Sequence, residues 1–98
     1  MSNWSEIDQA VKIFQDKKKL ILMQCTSLYP CPLKYAGINL IKKMMNRYNL
    51  TIGFSDHTLG STASIAAVLN GAKVIEKHFT LSNKMYGSDA KHSLNPEE

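Results

Sequence analysis

The sequence predicts an α/β fold with a parallel sheet. Three observations carry this expectation. Short apolar runs of strand length alternate with segments of helical periodicity. The first of these runs, LILMQC, is continuously apolar rather than alternating, which suits a strand covered on both faces. Each run is followed by a polar or glycine-containing stretch before the next helix, the order that right-handed parallel crossovers require.

The elements follow in chain order. Over Trp4 to Lys18, Ile7, Ala10, Val11 and Phe14 recur at helical spacing, with Ser5 as the expected N-cap and the charges on the opposite face. Leu20 to Cys25, LILMQC, reads as a buried strand ending at Thr26, before a loop that holds Pro30 and Pro32. From Asn39 to Tyr48, Leu40, Ile41, Met44 and Met45 form one face, while Lys42, Lys43 and Arg47 form the other. Thr51 to Phe54 is expected as a second strand, Ser61 to Leu69 as a helix of small residues stopped by Asn70-Gly71, and Lys73 to Phe79 as a third strand. Asn95-Pro96-Glu97-Glu98 has the composition of a helix start, with Asn as N-cap and Pro at the first helical position. Three strands cannot close a barrel, and a complete (β/α)₈ domain takes about 250 residues. Periodicity alone therefore leaves a barrel segment and an open doubly wound sheet as alternatives, although no glycine-rich dinucleotide fingerprint follows any strand.

Composition narrows the partners. The 98 residues are 44% hydrophobic and 20% charged, an ordinary globular balance, with a formal charge of +4. Lys17, Lys18 and Lys19 sit where the first helix is expected to end, a position that cations favour. No basic stripe with interleaved aromatics is present, so a nucleic-acid partner is not expected. No apolar run approaches the ~20 residues of a membrane span. Cys25 and Cys31 lack the CxxC spacing of zinc or redox motifs, and with no signal peptide a reducing cytoplasm is the expected compartment.

Strand parity identifies the residues that can carry chemistry. Val74, Glu76 and His78 share one face of the third strand, and Gly53, Ser55 and His57 share one face of the second strand and its extension. Glu76, His78, Ser55 and His57 all fall near the carboxyl ends of strands, where α/β proteins assemble their sites. Two imidazoles projecting from neighbouring strand tips can hold a divalent metal, and they can equally be histidines making ordinary hydrogen bonds. The stretch from Ser55 to Thr62 leads into a helix N-terminus suited to a phosphate or carboxylate, or simply to capping by Ser61 or Thr62. His92 falls in a polar loop and draws no functional role.

Three segments, CTSLYPCP at 25–32, GFSDHTLGSTASIAAVLNGAKVIEKHFTL at 53–81 and GSDAKHSLNPEE at 87–98, resemble the sialic acid synthase family, which includes N-acetylneuraminate, legionaminate and pseudaminate synthases. The likeness runs from Leu20 to Glu98 in the family's order and spacing. It implies that residues 1–98 are a C-terminal part of a (β/α)₈ TIM-barrel catalytic domain, its last three βα units. In the family a small antifreeze-like domain follows the barrel, and the enzyme is a domain-swapped homodimer.

The implied reaction is the condensation of phosphoenolpyruvate with an N-acylated amino sugar, with Mn²⁺ or Mg²⁺ as cofactor. Carried over by motif position, His57 and His78 are metal ligands and Ser55 contacts the phosphate of phosphoenolpyruvate. Glu76 and Asp89 match catalytic positions near the sugar hydroxyls, and Tyr29 lines the sugar pocket. Ser27 stands where the family often has an asparagine that contacts phosphoenolpyruvate. Ala90 stands where sialate-making members commonly have histidine, which leaves pseudaminate and legionaminate synthesis as alternatives. Family members also draw phosphate-binding lysines and a catalytic glutamate from earlier strands, so a non-catalytic α/β segment is the remaining alternative for the isolated chain.

Overall fold

The computed structural model describes all residues from Met1 to Glu98. Its elements are α1 (Trp4–Ile13), β1 (Ile21–Cys25), α2 (Ile38–Tyr48), β2 (Thr51–Asp56), α3 (Thr62–Leu69) and β3 (Val74–Lys77), with short 3₁₀ turns at Lys17–Lys19, Leu33–Tyr35 and Ala90–His92. The strands form one sheet in the order β1-β2-β3, and both pairings are parallel. The alternation read from the sequence is therefore the alternation of the fold.

The core lies on one face of the sheet. Ile52 and Phe54 of β2 pack against Ile41 and Met44 of α2 and Ala63 and Ala67 of α3, with Ala36 and Ala72 closing the cluster. The alanines of α3 let that helix approach β2 closely. Helix α2 ends at Asn49, whose φ of 50° puts it in the left-handed region, and its N–H returns to the Met45 carbonyl. Gly37 precedes α2 with φ 71°, and a Cβ there would meet the Gln24 amide at 2.5 Å. The opposite face of the sheet carries Met23, Cys25, Gly53, Ser55, Val74 and Glu76 by strand alternation.

Four sequence expectations change. Helix α1 stops at Ile13 rather than Lys18, and Lys17–Lys19 form a separate turn started by the Asp16 side chain, which accepts from Lys18 N–H. The N-cap is Asn3, not Ser5: Asn3 and Glu6 form a reciprocal capping box, which places Ser5 inside the first turn. Strand β2 runs two residues past Phe54, because Ser55 and Asp56 pair with Glu76 and Lys77. Strand β3 is shorter than Lys73–Phe79, although Lys73 N–H still bonds the Ile52 carbonyl and Phe79 forms an isolated parallel bridge with Leu94.

At the far end, Asn95 Oδ1 accepts from the N–H groups of Glu97 and Glu98, and Glu98 Oε2 accepts from Asn95 N–H. This is the capping pattern expected of a helix start, here completed over a single turn.

Candidate functional site

The carboxyl ends of the three strands meet one returning loop. After β3 the chain leaves the sheet and comes back as a second parallel partner: Leu94 N–H bonds the His78 carbonyl and Thr80 N–H bonds the Leu94 carbonyl. The Asn83 side-chain amide donates to the carbonyls of Ala90 and Ser93, and Ser93 Oγ donates to the Asp89 carbonyl. These bonds pin the Ala90–His92 turn over the end of β3. Asp89 and His92 thereby arrive beside His78.

Four rings gather there. Tyr29 lies 4.3 Å from His57, 6.0 Å from His78 and 5.6 Å from His92, centroid to centroid. His78 is 5.3 Å from both His57 and His92. His57 Nδ1–H donates to the Thr26 carbonyl at 2.9 Å, which leaves Nε2 as the nitrogen with a free lone pair. The Cys25 thiol sits 4.0 Å from the same Nδ1. Asp89 Oδ2 is 3.5 Å from His78 Nδ1, and Asp89 Oδ1 is 3.7 Å from His92 Nε2. That second distance is too long for a hydrogen bond, so His92 Nε2 is buried with no hydrogen-bond partner. Burial pushes the His92 imidazole below its ordinary pKa, against the opposing pull of Asp89, and so favours the neutral ring.

Beside the rings, Ser55 Oγ donates to Glu76 Oε1 at 2.7 Å. Below them, Asp56 anchors the SDHT loop. Its carboxylate accepts from Thr58 N–H at 2.8 Å and from the Ser64 hydroxyl, and it pairs with Lys77 Nζ at 3.2 Å. Lys77 also donates to the Thr58 carbonyl. Burial raises the Asp56 pKa, but the hydrogen bonds and the Lys77 charge outweigh it and hold the carboxyl below the usual range. His57, between Asp56 and Thr58, is fixed on both sides.

Of the residues singled out from the sequence, Tyr29, Ser55, His57, Glu76, His78 and Asp89 stand around this one end of the sheet. Ser27 does not join them through any side-chain hydrogen bond; it is exposed and lines a groove with Met23, Gln24, Cys25 and Tyr35. Ser61 is at the N-cap position of α3 but its side chain makes no capping bond, and the hydroxyl at work is that of Ser64.

The main correction concerns His92, which is buried against the cluster rather than idle in a polar loop. Its burial depends on the Phe79–Leu94 bridge, a pairing of distant residues that local polarity does not reveal. The one available signal was its i,i+3 spacing from Asp89.

The donor set fits a divalent cation. His78, Asp89 and His92 offer ligand atoms that all lie within 4.8 Å of one another, and the His57 ring lies 5.3 Å from that of His78, centroid to centroid.

The sheet and its polar strand ends define an α/β protein whose site is built at the carboxyl ends of parallel strands. The chain belongs to the NeuB family, whose profile matches residues 1–98. It is 39% identical over 102 residues to the N,N'-diacetyllegionaminic acid synthase of Campylobacter jejuni, covering 100% of this chain and 30% of that protein. It is likewise 39% identical over 101 residues to the N-acetylneuraminate-9-phosphate synthase of Drosophila melanogaster, covering 100% of this chain and 27% of that protein. Among solved structures, the N-acetylneuraminic acid (sialic acid) synthetase of Leptospira borgpetersenii superposes with a TM-score of 0.93 at 38% identity, over 100% of this chain and 35% of that one. The chain thus spans about 30% of the length of the curated relatives it matches. No helix is long and apolar enough to cross a membrane.

Proposed function

We propose that the chain is a segment of a (β/α)₈ barrel, its last three βα units, in an enzyme that condenses phosphoenolpyruvate with an N-acylated amino sugar to give a sialic acid-type product and inorganic phosphate. The observation that carries this reading is the convergence of His57, His78 and the Ser55–Glu76 pair at one end of a parallel sheet, in a chain whose relatives are named as synthases of such sugars.

In the reaction, carbon 3 of phosphoenolpyruvate attacks the open-chain aldehyde carbon of the sugar and forms the new carbon–carbon bond. Water then adds to the cationic carbon 2 and gives up a proton, the former aldehyde oxygen takes a proton to become a hydroxyl, and the tetrahedral carbon 2 collapses to a ketone as its C–O bond to phosphate breaks and inorganic phosphate leaves with the remaining hydroxyl proton. His57 and His78 would hold Mn²⁺ or Mg²⁺, which supplies Lewis-acid polarisation of the sugar carbonyl. Ser55 turns its single hydroxyl proton from Glu76 to the phosphoenolpyruvate phosphate when that substrate binds, with Ser27 as a further contact to it. Glu76 and Asp89 orient the sugar by accepting from its hydroxyls, and Tyr29 packs against the sugar from the side of His57. Asp56 and Lys77 touch no substrate; they keep the His57 loop in place.

The remaining parts of this reading are a homodimeric whole protein in the cytoplasm and no activity from the 98 residues alone. The test is to supply the whole protein with phosphoenolpyruvate and competing N-acyl hexosamines, then follow phosphate release and product mass. Metal-dependent phosphate release with a product heavier by the pyruvyl unit supports the reading. Full activity in excess chelator overturns its metal component, and release without a condensed product overturns the rest.

A further inference from the structure

His92 is the one buried side chain at the site with a polar nitrogen left unpaired. Nε2 has no hydrogen-bond partner, the imidazole is 3% exposed, and an Asp89 oxygen stands 3.7 Å away. Asp89 itself stands between two imidazoles, with one oxygen 3.5 Å from His78 Nδ1 and the other facing His92. The three ligand atoms lie within 4.8 Å of one another, a separation that a single ion at ordinary metal–ligand distances of about 2.0–2.2 Å can span after small side-chain movements. Buried polar atoms are generally paired with protein or water; of the two unpaired ones here, Thr58 Oγ1 and His92 Nε2, the imidazole nitrogen is the one beside a carboxylate and a second imidazole, a setting that calls for a ligand.

The backbone supports the same conclusion. The Ala90–His92 turn is held by Asn83, which donates to the carbonyls on both sides of His92, and Asn83 is held in turn by the Asn95 amide. A turn pinned at both ends fixes where the imidazole points. His92 and Asp89 are three residues apart on that turn, so the two ligands are delivered together.

We propose that His92 and Asp89 join the His57–His78 pair as protein ligands of one divalent metal, giving a three-histidine, one-carboxylate site. The proposal rests on the reading of this strand end as a metal centre and extends it: Asp89 and His92 complete the protein's share of the shell before any substrate arrives. Three imidazoles and one carboxylate favour first-row transition ions over Mg²⁺, which prefers an all-oxygen shell and keeps its waters. Zn²⁺, Co²⁺ and Mn²⁺ are therefore the expected class.

The probe is Co²⁺ alone, titrated into the whole protein without substrate at neutral pH and followed by its visible d–d absorption, with Zn²⁺ displacement as a second readout. The expected result is one Co²⁺ per chain in the absence of substrate, displaced by Zn²⁺ and resistant to an excess of Mg²⁺. His92→Ala and Asp89→Asn should each weaken binding about 10-fold or more, as expected for loss of a direct ligand when even second-shell changes cost about 10–100-fold. His92 is buried, so thermal melting accompanies its variant; should that variant fail to fold, Asp89→Asn, whose side chain is half exposed, decides the outcome alone. Wild-type Co²⁺ affinity in a folded His92→Ala or in Asp89→Asn overturns the proposal. If His57→Ala and His78→Ala still lose the metal in that case, the two-histidine reading stands without His92. If His57→Ala and His78→Ala also bind as wild type does, both metal readings fall together.

Discussion

Ser55 Oγ donates a 2.7 Å hydrogen bond to Glu76 Oε1, and the same two residues are direct partners in the β2–β3 ladder. One register position thus fixes a hydroxyl and a carboxylate side by side on the face of the sheet opposite the core. Ser55 is buried and Glu76 is exposed, so the carboxylate keeps access to water while the serine sets its direction.

From this pair we predict that Ser55→Ala in the whole protein lowers kcat/KM by about 10–100-fold, in line with the ~1.5–3 kcal/mol attributed to a hydrogen bond with a charged partner. Glu76→Gln should reduce activity at least as much while leaving the melting temperature almost unchanged, because its side chain is already solvated. Steady-state kinetics beside thermal melting checks both. Equal loss of stability in the two variants would show that the pair is only structural.

Lys77→Met should be the most destabilising single change at this end of the sheet. The Lys77 and Asp56 side chains are 7% and 0% exposed, so removing the cation leaves a buried carboxylate without its counter-charge. Breaking such a pair by removing one partner costs about 3–5 kcal/mol, a large share of the ~5–15 kcal/mol that stabilises a whole domain. Denaturant titration of the variant gives the value. A loss below about 1 kcal/mol would mean that the hydrogen bonds from Ser64 and Thr58 already satisfy Asp56.

Helix α1 is tied to α2 by Asp8, which accepts from the Arg47 guanidinium and from Tyr48 Oη. The Arg47 bonds, followed by the Tyr48 bond, hold the Asp8 carboxyl down to about 2. Because this lies below the unfolded value of about 3.9, the contribution is present above that value and is lost as pH falls through about 2. Trp4 stands 6.3 Å from the Tyr48 ring and beneath the Arg47 guanidinium, so the single tryptophan reports this contact. Its fluorescence should change with a midpoint near pH 2, and Asp8→Asn should show the changed signal already at neutral pH. Identical spectra for Asp8→Asn and the wild-type chain would place the docking of α1 elsewhere.

The order of elements, the parallel pairing and the common face of Ser55 and His57 were legible in the sequence, because period and parity are local properties. The end of α1 was not: Phe14 continues the apolar spacing, yet it is half exposed, since only Val11 of that helix is buried. The extension of β2 was hidden for a different reason. Ser55 and Asp56 are polar, and their strand geometry comes from pairing with Glu76 and Lys77, about twenty residues away. His92 belongs to the same class, brought inward by a bridge between Phe79 and Leu94.

The final prediction is that the 98-residue chain associates with itself at micromolar concentration and releases no phosphate from phosphoenolpyruvate and an amino sugar. Its accessible surface is 6849 Å², whereas a folded monomer of 11.0 kDa is expected to expose about 5,600 Å². Its radius of gyration is 14.5 Å against about 12.6 Å for a compact chain of this length. Part of the excess is apolar: Ile65, Val68 and Leu69 of α3 are 59%, 53% and 80% exposed, and Ile75 continues the patch onto β3. The outer edges of β1 and, up to the Phe79–Leu94 bridge beyond its end, of β3 have no strand beside them, and unpaired edges next to apolar surface are templates for association. Light scattering across a dilution series should therefore give a mass that rises with concentration. Ile65→Lys with Leu69→Lys should lower it, while Lys42→Glu on the polar face of α2 should not. A monodisperse monomer of 11.0 kDa with a sharp thermal melt would sink the association claim, and phosphate release at the whole protein's rate would show that these 98 residues suffice for catalysis.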